Sequence, residues 1–210
     1  MPEANTLYYP NRFARYFLLA MEEVLGRSGL GVLLDYAHLE AYKTELPPDN
    51  LERQFDFAYF AALSEALEEM YGERGGRGMA LRVGRACFAH GMRSFGVLAG
   101  MGDPVFRAEP LDRRIVVGLD ALARVFTNFT DQRTSVEDHN TQYRMIVDES
   151  PMAWQRQASR PVCHALTGII QEALRWASNG YEFHVQEIEC RATGHSHCVF
   201  AINKQPLGRK

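Results

Sequence analysis

Phe183-His184-Val185-Gln186-Glu187-Ile188-Glu189-Cys190-Arg191-Ala192-Thr193-Gly194-His195-Ser196-His197-Cys198-Val199-Phe200-Ala201-Ile202 reads as two strands around a turn. Tyr181, Phe183 and Val185 alternate on one side of Thr193-Gly194, and Cys198, Phe200 and Ile202 alternate on the other, which is the period-2 signature of a half-buried hairpin. Just upstream, Pro161 suits the first position of a helix, and Val162, Ala165, Leu166, Ile169, Ile170, Ala173 and Leu174 form a buried stripe at helical spacing. Asn179-Gly180 stops that helix. The C-terminal third is therefore a helix followed by a hairpin.

This layout gathers thiols. Cys190 and Cys198 sit at the two ends of the turn, so closing the hairpin brings their sulfurs together, and Cys163, near the start of the helix, can fold back onto the same end of the sheet. Three thiolates in one neighbourhood attract zinc, which takes four ligands in a tetrahedron. Glu187, Glu189, His164, His184, His195 and His197 are all candidates for the fourth ligand, and spacing does not choose among them. The competing reading is buried free cysteine, which packs as a small hydrophobe. Cys87 lies on a separate helical segment and reads as a core residue.

Further outward, Asn11 is a plausible N-cap for a helix bearing Phe13, Phe17, Ala20, Met21 and Val24, with Gly26 placed to end it. Pro47-Pro48-Asp49-Asn50 breaks the chain before Leu51, Phe55, Tyr59, Ala62, Ala66, Leu67 and Met70, a second helical face closed by Gly72. The glycine-rich stretch Gly72 to Gly78 lacks a preceding strand, a third fingerprint glycine (Leu81 stands there) and a Gly-Lys-Ser/Thr, so it is not a phosphate loop. Residues 79–98 read as another helix with Phe88, Met92 and Phe95, followed by a loop at Gly100, Gly102 and Pro104. Asp112 is a candidate cap for a helix with Ile115, Leu119, Leu122 and Phe126. Gln142 to Val147 alternates as a strand through Tyr143, Met145 and Val147.

With 210 residues and 46% hydrophobic content, the chain fits one domain over residues 1–210. A formal charge of -3, with 23 basic residues among 26 acidic ones, argues against nucleic acid as a partner. No basic-then-apolar leader and no bilayer-length apolar run is present, so no membrane span is expected and a cytoplasmic location is. Thiols there stay reduced, which favours metal over disulfide. No catalytic residues stand out: there is no Ser/His/Asp order and no His-Glu-x-x-His, and His90 and His139 are lone histidines.

Pro161-Val162-Cys163, the helix ending at Gly180 and the run Glu187 to Cys198 together resemble the C-terminal signature of the vinyl-4-reductase (4-vinyl reductase) domain family. That family includes a stand-alone protein linked to bacteriochlorophyll synthesis and the sensor domains of phenol-responsive transcription activators. The resemblance implies structural zinc held by Cys163, Glu187, Cys190 and Cys198. In an ideal strand Glu187 and Cys190 would face opposite sides, so this set requires a bulge or the strand's end between them, and His195 or His197 is the alternative without one. It also implies an α+β fold, an antiparallel sheet packed against several helices, similar to vesicle-tethering-complex subunits that dimerise through helices.

The family pocket is apolar and lies between helices and sheet, and Phe126, Tyr143, Trp154, Ala173 and Val185 are its candidate residues here. The phenol sensors carry aromatic side chains at positions corresponding to Ala173 and Val185, so the smaller residues imply a larger ligand, such as a tetrapyrrole. Three functions compete: a sensor or carrier of a hydrophobic small molecule, a 4-vinyl reductase acting on a tetrapyrrole, and a dimeric scaffold using a face such as Phe13, Phe17, Met21 and Val24. A reductase needs a hydride or electron source, and no nicotinamide or flavin fingerprint is present, which favours binding over catalysis.

Overall fold

The computed structural model describes residues 6–95 and 104–208. The chain opens with a short strand, β1 (Tyr8–Pro10), paired antiparallel with β2 (Arg53–Asp56), and the two bracket helix α1 (Asn11–Tyr36). Asn11 is the first helical residue, not the cap. Pro10, with φ -61 and ψ 143, occupies the cap position, where its fixed φ suits an extended entry. The Asn11 amide is buried and donates to Asn50 Oδ1 (3.0 Å) and Gln54 Oε1 (2.8 Å), tying the helix start to the second strand.

Gly26 breaks α1 with φ 74 and ψ 163, as a stop signal should, but the helix resumes and runs on to Tyr36. The same event recurs in α2 (Phe57–Phe95), where Gly72 has φ 69 and ψ 167 and the glycine-rich stretch then continues as helix. The expected helix start at Leu51 is thus too early. Residues 53–56 pair as strand, and Asp56 Oδ1 accepts from the Ala58 amide at 2.8 Å to cap the helix at Phe57. The helix expected over 79–98 is, as far as Phe95, the second segment of α2, and its last three residues and the loop expected at Gly100 and Gly102 lie outside the described residues.

After α3 (Pro104–Ala108), α4 (Leu111–Phe129) starts behind Pro110, with Asp112 in its first turn, where a carboxylate complements the helix dipole. Then come β3 (Thr134–His139), β4 (Gln142–Val147), α5 (His164–Ala177), β5 (Phe183–Glu189) and β6 (Cys198–Pro206). The sheet is antiparallel throughout, in the order β3-β4-β6-β5. Tyr143, Ile202 and Val185 share one cross-strand row, and Met145, Phe200 and Glu187 share the next. These residues are buried, so the core face of the sheet carries a carboxylate in an otherwise apolar row.

Helix α1 packs on α2, α2 on α5, and α5 on both α4 and β5. Phe17 and Met21, the centre of the face considered for dimerisation, are buried in the chain's own core. No helix among the described residues is long and apolar enough to cross a membrane.

Candidate metal centre

Strand β5 alternates in and out from Phe183 to Glu187, and the register then slips between Glu187 and Glu189. Ile188 points to solvent and Cys190 is fully buried. This is the bulge that the two residues need in order to share a site: one extra residue in the strand restores Cys190 to the face that Glu187 occupies. A short helical turn, Arg191–Thr193, and left-handed Gly194 (φ 93, ψ 5) then reverse the chain, with the Thr193 hydroxyl donating to Cys190 O at 2.8 Å. Cys198 begins β6 opposite Val147.

The third cysteine arrives from α5. Helix α5 begins at His164, with Cys163 as its cap residue (φ -81, ψ 46), so Pro161 lies before the helix instead of at its first position. That backbone turn aims the Cys163 amide at Glu187 Oε2, which accepts at 2.9 Å. The sulfurs of Cys163 and Cys198 are 3.7 Å apart and those of Cys198 and Cys190 4.0 Å. The donor atoms of Cys163, Glu187, Cys190 and Cys198 all lie within 4.8 Å of one another, so the four residues can hold a metal ion. Ser150 Oγ lies 3.1 Å from Cys163 Sγ, and the Arg191 amide donates to Cys198 Sγ at 3.4 Å.

Gathered in one buried site, these groups frustrate one another. Burial, and then the charge of Cys190, pushes the Glu187 carboxyl up to about 8. Burial raises the Cys163 thiol well above its ordinary value, while hydrogen bonds from the Cys163 and Cys198 thiols lower that of Cys190. Glu187 Oε1 is buried with no hydrogen-bond partner among the described residues, an expensive condition for a carboxyl oxygen. The other candidate ligands lie outside the cluster. His195 Nδ1 meets Thr193 Oγ1 at 3.0 Å, His197 Nδ1 faces Asp148 at 3.3 Å, and His184 is exposed. Burial, followed by the charges of Arg77 and Arg156, lowers half-buried His164 to about 4 and leaves it neutral. Cys87 is remote from the cluster, and burial alone raises its thiol to about 12.

Beside the cluster, a cavity of about 400 Å³ opens between α2, the segment before α5, and β5, and both Val185 and Glu187 line it. Phe126, Tyr143 and Ala173 are buried in the core, and Trp154 stands edge-on to Phe57 at 5.7 Å. These four are not among the walls of that cavity. Its rim includes Arg74, Arg77 and Arg160, which sequence reasoning did not single out. Their one signal is that Arg74 and Arg77 stand three apart in a stretch that reads as helix only once Gly72 is known not to end it.

Residues 143–204 match the family model of the vinyl-4-reductase domain, a stretch running from β4 to β6 that contains all four cluster residues. The resemblance read from the C-terminal residues is thus shown. No curated protein matches the sequence. Among solved structures, an H-NOX protein studied for its mechanism of activation is 16% identical, with 96% of this chain and 100% of that one covered and a TM-score of 0.61. The phenol-responsive sensory domain of the transcription activator PoxR, solved with phenol, is 21% identical over 76% of this chain and 79% of its own, with a TM-score of 0.53. Subunit 3 of a trafficking protein particle complex from Naegleria fowleri, covalently bound to palmitic acid, is 17% identical over 69% and 81%, with a TM-score of 0.44. At such identities the first two share the fold, an antiparallel sheet with helices packed on it.

Proposed function

We propose that the protein is a zinc-containing binding module, a sensor or carrier that holds a hydrophobic small molecule without transforming it. The observation that carries this reading is the buried set Cys163, Glu187, Cys190 and Cys198 inside the stretch that matches the vinyl-4-reductase domain. Three sulfurs and one carboxylate suit zinc. A Zn–S bond of about 2.3 Å gives a tetrahedral edge of about 3.8 Å, and the sulfur separations of 3.7 Å (Cys163–Cys198) and 4.0 Å (Cys198–Cys190) bracket it. A divalent cation among the four donors would offset the burial that raises Glu187 and Cys163 and would give the orphaned Glu187 Oε1 a partner. Bound zinc would supply charge neutralisation and a cross-link between α5, β5 and β6. With all four positions taken by protein donors, none stays open for a substrate.

Small-molecule binding is supported by the family match and by a fold shared with a phenol-responsive sensory domain. The small residues Ala173 and Val185 favour a ligand larger than phenol, of tetrapyrrole size, with Phe126, Tyr143 and Trp154 as proposed aromatic contacts. We place the module in the cytoplasm, where its thiols stay reduced, acting as one domain over residues 1–210 and as a homodimer. Native mass spectrometry of the purified protein tests these points together: one zinc per chain, a retained organic mass and pairs of chains are expected. Zinc below about half an equivalent, with Cys163, Cys190 and Cys198 titrating freely as unliganded thiols, would refute the metal assignment.

A further inference from the structure

The cavity beside the metal cluster is two-sided. Leu81, Val162 and Val185 form an apolar wall, and arginines crowd the rim. The rim's charges are unequally partnered. Glu68 accepts from Arg156 Nη2 at 2.8 Å, an arginine it shares with Glu65, and Glu73 is paired with Arg160, so both rim carboxylates are already engaged by other arginines. The remaining wall acid, Glu187, is turned to the cluster, where its Oε2 accepts from the Cys163 amide. Arg74 and Arg77 have no acidic partner among the described residues.

Three positions apart on the second segment of α2, these two guanidinium groups share a helix face, an arrangement in which like charges repel. An isolated protein has little reason to keep such a pair at the mouth of a cavity with an apolar wall. An anion entering the cavity removes the repulsion and can be held by planar forks that suit carboxylate and phosphate oxygens. The volume of about 400 Å³ falls in the range of small-molecule sites.

We propose that this cavity binds a compact amphipathic acid, its carboxylate or phosphate held by Arg74 and Arg77 and its apolar body laid against Leu81, Val162 and Val185. This rests on the small-molecule reading but gives this cavity a ligand smaller than a tetrapyrrole, and because Glu187 also lines it, the bound acid would adjoin the cluster's carboxylate.

Isothermal titration of the zinc-replete protein with 2-naphthoate, 2-naphthyl phosphate and neutral 2-naphthamide tests it. At least one acid is expected to bind about tenfold or more tightly than the amide, as charge-assisted hydrogen bonds require, and to weaken as salt rises. The tighter of the two acids identifies the oxyanion. The double variant Arg74→Gln, Arg77→Gln should lose that preference, and Arg82→Gln, on the same helix but outside the cavity lining, should keep it. Glutamine retains helix propensity, and an unchanged melting temperature confirms that the double variant is folded. Equal binding of amide and acids, no binding of either acid at millimolar concentration, or an unchanged double variant would overturn the proposal. The zinc content and binding of large neutral ligands would survive that failure, so the broader reading is judged by its own measurements.

Discussion

Glu187 occupies a core-face position on β5 between Val185 and Cys190, opposite Phe200. A carboxylate there is stable only if a cation or a proton accompanies it, and the strand's bulge brings Cys190 around to the same side. Each donor is thus buried at a cost that one metal ion would offset, and binding energy at such a site is folding energy. Cys190→Ala is therefore expected to drop zinc below about half an equivalent and to destabilise the domain by more than about 3 kcal/mol, in the range associated with loss of a structural metal. Thermal unfolding with and without a chelator, alongside elemental analysis, checks this. A variant that keeps the wild-type melting temperature would show that the cluster does not hold the domain together.

Between elements, the crossing of α2 and α5 depends on two glycines that face each other's backbone. A Cβ at Gly84 would sit 1.9 Å from the Ala165 carbonyl oxygen, and one at Gly168 would sit 2.2 Å from that of Leu81. Backbone cannot yield as a side chain can. Gly84→Ala and Gly168→Ala should each destabilise by at least about 1–3 kcal/mol through overpacking. By moving the start of α5, where Cys163 lies, they should also weaken metal retention. Gly91, on the same α2, has nothing within 4 Å of its would-be Cβ, so Gly91→Ala should be neutral or stabilise by about 0.5–1 kcal/mol, the helix preference for alanine. Chemical denaturation of the three variants separates a packing requirement from mere helix propensity, and equal effects at Gly84 and Gly91 would contradict the crossing argument.

A second device at this scale is Arg85 on α2. It reaches Gln171 Oε1 and Glu172 on α5, at 3.0 and 3.5 Å, and Glu182 ahead of β5, at 2.9 Å. The hydrogen bond from Arg85 lowers the Glu182 carboxyl below its ordinary 4.5, against a smaller upward push from burial. A folded value below the unfolded one means that the ionised carboxylate stabilises the fold at pH above about 4.5, and that this contribution is lost as pH falls through the folded value. Glu182→Gln should therefore flatten the acid-side loss of stability below about pH 4.5 while lowering stability only modestly at pH 7, because both partners are partly solvated. Melting curves between pH 3 and pH 7 give the answer, and parallel pH profiles for variant and wild type would dismiss the coupling.

For the molecule as a whole, the expected behaviour is binding without turnover. Burial of a large planar ligand contributes about 25 cal/mol per Å² of apolar area, and ordering and association costs consume much of that gain, so micromolar affinity is expected. Titrating chlorophyll precursors and simple phenols by tryptophan fluorescence, then incubating any binder with nicotinamide and flavin reductants, tests both halves. Reduction of a vinyl group at catalytic rates would replace the binding module with the reductase, and tighter binding of phenol than of the large rings would remove the argument from Ala173 and Val185.

The amino-acid sequence alone determined the elements whose buried faces repeat. Strand β4 is legible from Tyr143, Met145 and Val147, α5 from its stripe between Ala165 and Leu174, and the hairpin from Cys198, Phe200 and Ile202, because each buries one face and periodicity records it. It also determined which sulfurs could meet, since a turn brings its own ends together. Tertiary structure decided what has no periodic trace. β1 and β2 span three and four residues, too few to show a period, and β3 is an edge strand with no buried residue. Gly26 and Gly72 signal a break, but whether the helix resumes beyond it depends on the partner it then packs against. The pairing of Glu187 with Cys190 likewise rests on a one-residue slip against β6, and the cavity lined by Arg74 and Arg77 exists only because α2 crosses α5 closely enough to face β5. Local alternation reports which side of a strand is buried; the register of that strand against its neighbour is a property of the assembled sheet.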